Sequence, residues 1–417
     1  MYLTAMTHRD ELFDLTMRWM NDDFHADDGE ILTRIFVYES AISALVIERV
    51  LLLLGRFWNT ELHAERIRFK HELRDRIIAR LGVQTHRMAE LAEKFHNNPK
   101  YFFPFLPIDG LVVTDNSARL LALGRIKRMA RVAEKVSFRL VEALFKEIQA
   151  QARFLAQQRA TQAGVPLDEF VSSDEAMQND FVQAEEALAR SFRDRKIHIG
   201  PDALTINDIL GFKIIAPQKM LDRLPLMLTD EPGMRITEIQ KHSGNYNAVN
   251  LLLDLELPAV HELTARLRGM NWDIAGKRGL NPDDIRENIE SYVRQGAGSV
   301  TIELILTTPE ELMEAEFGRS IHELRVLRLR QRQEYQGPLG QNAGYLIEYM
   351  LALASSPTIR VPEIPIKIYG RYLPEEISAL KRSLYGSPVE DGLLGTFCLH
   401  EGCLEQFFPP GTLVEEA

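Results

Sequence analysis

Two acidic residues, Asp208 and Glu303, stand in or beside runs of β-type residues. Glu303 lies inside the run Ser299–Leu306, and Asp208 comes just before the apolar run Ile214–Ala216. A carboxylate buried in a strand is costly unless a metal ion, a cation or a donor meets it. If the two strands are neighbours, the carboxylates converge and suit Mg²⁺ bound to phosphate oxygens. The alternative interpretation is that Asp208 caps a turn and Glu303 pairs with a surface lysine.

Three cations, Arg125, Lys127 and Lys135, follow Gly124 where a predicted strand runs into a helix. Cations at such a junction, together with the N–H groups at a helix start, can hold a triphosphate. The alternative is a solvated helix face, because the same helix carries further arginines at positions 128, 131 and 139.

An aromatic residue, Tyr246, lies in the turn Gly244–Asn250 that leads into another predicted strand. Its ring could stack on a nucleobase without needing a charge. An ordinary turn tyrosine at a sheet edge is the commoner alternative.

The elements that must position these residues fall into two kinds. Up to Asn97 the apolar residues recur at helical spacing, and the proline-rich segment Asn98–Asp115 suits a packed connector. Strands interleaved with helices follow, which predicts an α/β (α+β) fold with a mixed sheet of roughly five strands, flanked by helices, and an added helical N-terminal region. The predicted strands are Ala118–Ile126, Gly211–Ala216, Met234–Ile239, Ala248–Leu257 and Ser299–Leu306.

Predicted helices divide the rest of the chain. Thr308 is a candidate N-cap for a long helix, because Pro309 suits a first turn. We expect three regions: a helical N-terminal region at 1–110, a domain at 111–335 with a helical insertion at about 136–200, and a helical or irregular extension at 336–417. The predicted helices are Lys127–Ala156, Asp174–Phe192, Glu310–Gln333, Tyr345–Ser355 and Pro374–Leu384.

Composition narrows the possible functions. The formal net charge of −11 argues against a general polyanion binder. Cys398 and Cys403 are too few for a structural zinc site. The N-terminus does not read as a signal peptide, and the apolar run Ala41–Trp58 is short and charged. We therefore expect a soluble, cytoplasmic protein.

The order of these motifs resembles the synthetase domain of the RelA/SpoT-type alarmone synthetases. The G-R-x-K motif with its later lysine matches Gly124 to Lys135, and D-L-x-G-x-R matches Asp208 to Lys213, with Lys for Arg. The N-G-Y motif matches Gly244 to Asn250, with Asn250 where histidine is usual. The last motif matches at Glu303, Ala315, Glu316, Gly318 and His322 without a gap.

The resemblance implies an enzyme that transfers pyrophosphate from ATP to the ribose 3′-hydroxyl of GDP or GTP, on a nucleotidyltransferase-like fold. It implies that Asp208 and Glu303 hold Mg²⁺ on the ATP phosphates and that Tyr246 stacks on the acceptor base. It also implies that Arg125, Lys127 and Lys135 neutralise the triphosphate. Lys213 and His322 are implied to make further contacts with the nucleotide.

Departures from the family leave alternatives open. Ile305 and Thr307 replace the glutamine and arginine of the last motif, which favours a catalytically degenerate nucleotide-binding domain. The acceptor could instead be an adenine nucleotide or the 3′ end of tRNA. A second candidate for the basic clamp stands before Asp208, at Arg193, Arg195 and Lys196. No histidine is followed by aspartate, so no alarmone hydrolase is predicted.

Overall fold

A computed structural model describes residues 1–82, 85–331 and 337–386 of the chain. Its strands are numbered here in chain order. They are β1 (Tyr2–Leu3), β2 (His63–Phe69), β3 (Pro107–Thr114), β4 (Leu120–Ile126), β5 (Thr205–Ile206), β6 (Leu210–Ile215), β7 (Met234–His242), β8 (Ala248–Glu256) and β9 (Ser299–Thr307).

The helices surround these strands, and a 3₁₀ turn spans Pro99–Phe102. The first nine are α1 (Arg9–Met20), α2 (Asp28–Trp58), α3 (Lys70–Leu81), α4 (His86–Asn97), α5 (Met129–Ala163), α6 (Asp174–Arg193), α7 (Pro201–Leu204), α8 (Gln218–Leu221) and α9 (Leu224–Asp230). The others are α10 (Val260–Arg268), α11 (Asp273–Lys277), α12 (Pro282–Glu287), α13 (Ile289–Gln295), α14 (Pro309–Phe317), α15 (His322–Gln331), α16 (Pro338–Ser355) and α17 (Pro374–Ser383).

One mixed sheet forms the centre of the fold, with strand order β2-β3-β4-β6-β9-β8-β7. The β6–β9 pair is parallel, and the other neighbours in this sheet are antiparallel. β1 and β5 form a separate parallel pair. The expected mixed α/β class is therefore confirmed, and the five predicted strands are all present.

The sheet is larger than predicted, with seven strands instead of roughly five among the described residues. The two additional strands, β2 and β3, come from the region expected to be helical and from the expected connector. β2 is an edge strand whose residues, apart from the buried Ile67, are at least partly exposed, so it lacks the apolar alternation that marks a strand. The second additional strand, β3, was missed because the prolines of its segment indicated a connector instead of a strand.

The helix expected at Glu310–Gln333 is interrupted. Thr308 caps the first part as predicted, because its hydroxyl accepts from the Glu311 N–H. The helix then stops at Gly318, where a Cβ would lie 1.9 Å from Glu314 Oε2. The Glu314 carboxylate accepts instead from the Arg319 N–H, which turns the chain before α15 begins.

Side chains that alternate along the strands divide between two cores. On one face Phe212, Ile214 and Leu304 pack with α2, α5 and α16. On the other face Leu123 and Ile215 pack with α3, α4 and α14. Gly211, Lys213 and Ile215 share this second face by the two-residue period of a strand. This second face of the sheet is thus apolar at Ile215, where helices cover it, and polar at Lys213.

The N-terminal region is built into this fold. Tyr38 of α2 donates its hydroxyl to the Ile285 carbonyl at 2.6 Å, and α2 packs against α16. The expected region boundary at residue 110 lies inside β3, which pairs with β2 and β4. The division into domains is untested and stays a prediction.

In the described part of the chain, every helix is too short or too polar to cross a membrane. The two cysteines considered above, Cys398 and Cys403, lie outside the described residues.

Candidate active site

Glu303 lies at the centre of the sheet, in register with Gly211 on β6 and Leu252 on β8. Arg125 of β4 is in register with Gly211, so its side chain shares the same face. The Arg125 guanidinium donates to Glu303 Oε2 at 2.8 Å. On the opposite side, Asn250 Nδ2 donates to Glu303 Oε1 at 3.1 Å. The strand carboxylate is therefore met by a cation and an amide, and it is only 7% exposed.

Asp208 precedes β6 and is held by two lysines. Lys127 Nζ donates to Asp208 Oδ2 at 2.6 Å, and Lys135 Nζ from the first turns of α5 reaches the same oxygen. Burial acts to raise the pKa of Asp208, but Lys127 and Lys135 hold that pKa well below its usual range. Asp208 is therefore ionised at neutral pH.

Both predicted carboxylates thus contact the predicted basic motif. Arg125 and Lys127 alternate along the end of β4, and the Lys127 N–H donates to the Ile209 carbonyl at 2.7 Å. The simple alternative for Glu303, a pair with a surface lysine, is wrong, since its partners are Arg125 and Asn250. The clustered charges are suited to binding a ligand that carries both phosphates and a metal ion.

Gly211 gives Glu303 its space. A Cβ at Gly211 would lie 3.1 Å from the Glu303 carbonyl oxygen and 3.5 Å from Glu303 Oε2. Glycine therefore allows close strand contact directly beside the carboxylate.

Tyr246 lies in the turn between β7 and β8, as predicted. The Arg325 guanidinium of α15 lies over its ring, 4.2 Å from the centroid. The turn is fastened to α14, because Asn247 Nδ2 donates to Glu311 Oε1 at 3.0 Å. Gly244 adopts φ +107°, a conformation that favours glycine. The tyrosine is thus held beside a cation. Burial raises the pKa of Tyr246, and the neighbouring Arg325 opposes this effect.

Lys213 and His322 complete the set of predicted site residues. Lys213 Nζ lies 3.9 Å from Glu316 Oε1. Burial lowers the pKa of Lys213 to about 8, although Glu316 opposes this effect. His322 begins α15 and is partly exposed, yet desolvation of its ring and the nearby Lys70 lower its pKa.

The sequence did not indicate a buried ionic cluster beside these residues. Lys70 and Arg74 of α3 face Glu316 and Glu323, with Lys70 Nζ 2.8 Å from Glu316 Oε2 and 3.2 Å from Glu323 Oε1. Arg74 Nη2 lies 3.1 Å from Glu323 Oε2. The signal that could have revealed it is a pair of cations four residues apart on the otherwise apolar face of α3.

The second candidate for the basic clamp has different contacts. Arg195 pairs with Asp23 at 3.0 Å, and Arg193 and Lys196 lie 3.5 and 3.7 Å from oxygens of Asp194. All three cations have mostly exposed side chains and contact carboxylates other than Asp208 and Glu303. The contacts favour Arg125, Lys127 and Lys135 instead.

The donor set suits Mg²⁺ better than a structural metal. Mg²⁺ is commonly bound through one or two carboxylates, with phosphate oxygens and waters filling its shell. Asp208 and Glu303 meet that description. Among the described residues, a compact group of three possible ligands occurs elsewhere, at His25, Asp27 and Asp28. There Asp28 accepts from Trp19 Nε1 at 2.8 Å and pairs with an arginine, which indicates a structural role.

Comparisons with known proteins add little. A scan against models of known protein families finds no match, and neither does a search of curated proteins. A search of solved structures finds the crystal structure of the small alarmone synthetase 1 from Bacillus subtilis. The two chains are 15% identical, the match covers 40% of this chain and 71% of that one, and the TM-score is 0.17. At this TM-score the likeness carries no weight, so the case for function rests on the contacts above.

Proposed function

We propose that this protein transfers pyrophosphate from ATP to the 3′-hydroxyl of GDP or GTP. The observation that carries the proposal is a pair of contacts on the inner strands of the sheet: Arg125 pairs with Glu303, while Lys127 and Lys135 pair with Asp208. Two carboxylates and three cations from β4, β6, β9 and α5 form the constellation that phosphoryl transfer needs. The order of the sequence motifs supports the same reaction.

In this reaction the acceptor 3′-oxygen attacks the β-phosphorus of ATP. A bond forms between that oxygen and the β-phosphorus, the bond from the β-phosphorus to the α,β-bridging oxygen breaks, and AMP leaves. Glu303 is placed to accept the hydroxyl proton or to bind the metal ion. Arg125, Lys127 and Lys135 would turn from the carboxylates to the phosphate oxygens. Mg²⁺, held by Asp208 and Glu303, would neutralise the charge that develops on those oxygens.

Single substitutions test this assignment. Asp208→Ala and Glu303→Ala should each lower pyrophosphate transfer by roughly 10²–10³-fold, because each removes charge stabilisation at the reacting phosphate. Transfer is measured with ATP labelled at the β- and γ-phosphates. Asp202→Ala and Glu310→Ala are matched controls, since these carboxylates are exposed on neighbouring segments. Full activity in the Asp208 and Glu303 variants would refute the proposal.

An RNA acceptor is the second candidate, because α5 carries a basic stripe. Arg139, Lys146 and Arg153 are exposed at seven-residue spacing, although Glu142 interrupts the stripe. Basic side chains at regular spacing on a helix can contact successive phosphates of a nucleic-acid backbone. Assays with GDP, GTP, AMP and tRNA in parallel separate the acceptors. Label found only in tRNA would replace the nucleotide acceptor.

A nucleotide-binding domain without transfer is the remaining alternative. It is favoured by Ile305 and Thr307, which are only 6% and 5% exposed, since neither offers a charge to a ligand. Ile305 lies in register between Lys213 and Asn250. In that case calorimetric titration with ATP and Mg²⁺ would show binding, while the acceptor assays above would show no transfer.

A further inference from the structure

The buried ionic cluster joins the N-terminal region to the candidate site. Lys70 and Arg74 belong to α3, whereas Glu316 lies in the last turn of α14 and Glu323 in the first turn of α15. All four residues are buried, and Arg74 is 0% exposed. Arg74 Nε also donates to the Glu316 carbonyl at 3.2 Å. Two cations and two carboxylates therefore balance each other within the cluster.

Lys213 stands next to this balanced set. Its ammonium lies 3.9 Å from Glu316 Oε1, while the other oxygen of Glu316 is held by Lys70 at 2.8 Å. The Lys213 side chain remains 20% exposed. It lies on the sheet face that also carries Arg125 and Glu303. Lys213 is therefore within ion-pair range of Glu316, but at a longer distance than Lys70.

We propose that Lys70 is a positioning residue of the phosphate site: it holds the Glu316 carboxylate, so that the Lys213 ammonium stays available for a phosphate of ATP. This inference rests on the proposed function and extends the site into the N-terminal region. Without Lys70, the buried Glu316 carboxylate keeps only Arg74, whose Nη2 lies 3.6 Å from Glu316 Oε2 and is shared with Glu323, so it needs a further cation. Lys213 is close enough to be drawn to it, and the phosphate then loses one charge-assisted contact.

Equilibrium dialysis of ATP with Mg²⁺, without acceptor, measures this effect independently of transfer. Lys70→Met should weaken ATP binding about tenfold, the size of one charge-assisted hydrogen bond. Lys70→Met combined with Glu316→Gln should restore wild-type affinity, because the carboxylate that captures Lys213 is gone. Lys70→Arg should keep wild-type affinity. In transfer assays, KM for ATP should rise in Lys70→Met while kcat stays within about twofold.

Arg76→Met is the matched control. Arg76 lies on the same helix but pairs with Glu65 on the outer surface, so ATP affinity should not change. A merely structural Lys70 predicts that Lys70→Met weakens ATP binding further in a Lys213→Met background, whereas the inference predicts no further loss there, and an additive loss overturns it. If Lys70→Met does not fold, Lys70→Gln takes its place in the same comparisons. Wild-type protein that binds no ATP refutes the proposed function itself, whereas binding without rescue refutes only the role of Lys70.

Discussion

Lys213 shows how a lysine and an arginine differ at a partly buried position. Arginine stays protonated at all relevant pH values, whereas a buried lysine can lose its proton. Burial lowers the pKa of Lys213 to about 8, reinforced by Lys70 and Arg125 and opposed by Glu316. The charge offered to a phosphate therefore depends on pH near the physiological range.

We predict that ATP affinity falls as pH rises through about 8. Lys213 is mostly protonated at pH 7 and mostly neutral at pH 9, so its attraction for phosphate is lost over this interval. The dissociation constant, measured by calorimetry from pH 7 to 9, should rise by roughly tenfold. Lys213→Arg should remove the part of this dependence that centres on pH 8, whereas the titration of Lys127 stays, because burial lowers the pKa of Lys127 to about 7 although Asp208 opposes this effect. An unchanged pH profile in that variant would show that another group titrates.

The contribution of Lys213 to folding stability changes with pH in the opposite direction to ATP affinity: it becomes less unfavourable as pH rises. Its pKa is lower in the folded state than in the unfolded chain, so folding disfavours the charged form. This cost is fully present below the folded pKa of about 8. It is relieved as pH rises towards the unfolded value.

At the residue scale, the sequence predicted contacts between groups that lie far apart in the chain. The resemblance implied that Arg125, Lys127 and Lys135 serve one site with Asp208 and Glu303, and the structure brings these cations into contact with the two carboxylates. The sequence did not indicate Lys70 or Arg325. Those residues belong to helices whose packing against the sheet depends on tertiary structure, and a single sequence shows only that the helices exist.

At the element scale, the strands from β4 onward in the main sheet were predicted, including the edge strand β7, whereas β2 and the internal strand β3 were not. β6 and β9 are apolar enough to read as buried strands, whereas β2 has exposed polar residues on both sides. The break between α14 and α15 was also missed, because Glu314 and Gly318 shape it through a local side-chain contact. The helical spacing of apolar residues continues through that turn, so this spacing alone predicts one uninterrupted helix.

The parallel β6–β9 pair gives a prediction about close strand contact. Gly211→Ala should lower kcat by about tenfold, because the added Cβ must push against the Glu303 backbone and carboxylate. Steady-state transfer assays measure the change. Gly298→Ala, just before β9, is the matched control, since a Cβ there meets nothing within 4 Å. Equal activity in both variants would mean that the position of Glu303 tolerates this displacement.

At the scale of the whole molecule, the sheet crosses the boundary that the sequence suggested. β2 and β3 extend the sheet beyond β4, and Ile67, Gly110 and Arg125 are in register across these strands. The N-terminal helix α2 covers the other face of the sheet together with α16. The elements that hold the site therefore share two cores with the regions that flank the predicted domain.

This sharing predicts how the isolated segment 111–335 behaves. Without β2 the strand that remains of β3 has an open edge, and without α2 and α16 one sheet face loses its apolar cover. The fragment should show no cooperative thermal transition by circular dichroism and should not bind ATP. The full chain should unfold cooperatively and bind ATP. A cooperative transition together with retained pyrophosphate transfer in the fragment would instead establish 111–335 as an independent domain. In that case the flanking regions would act on a site that folds without them, and the contribution of Lys70 would be regulatory.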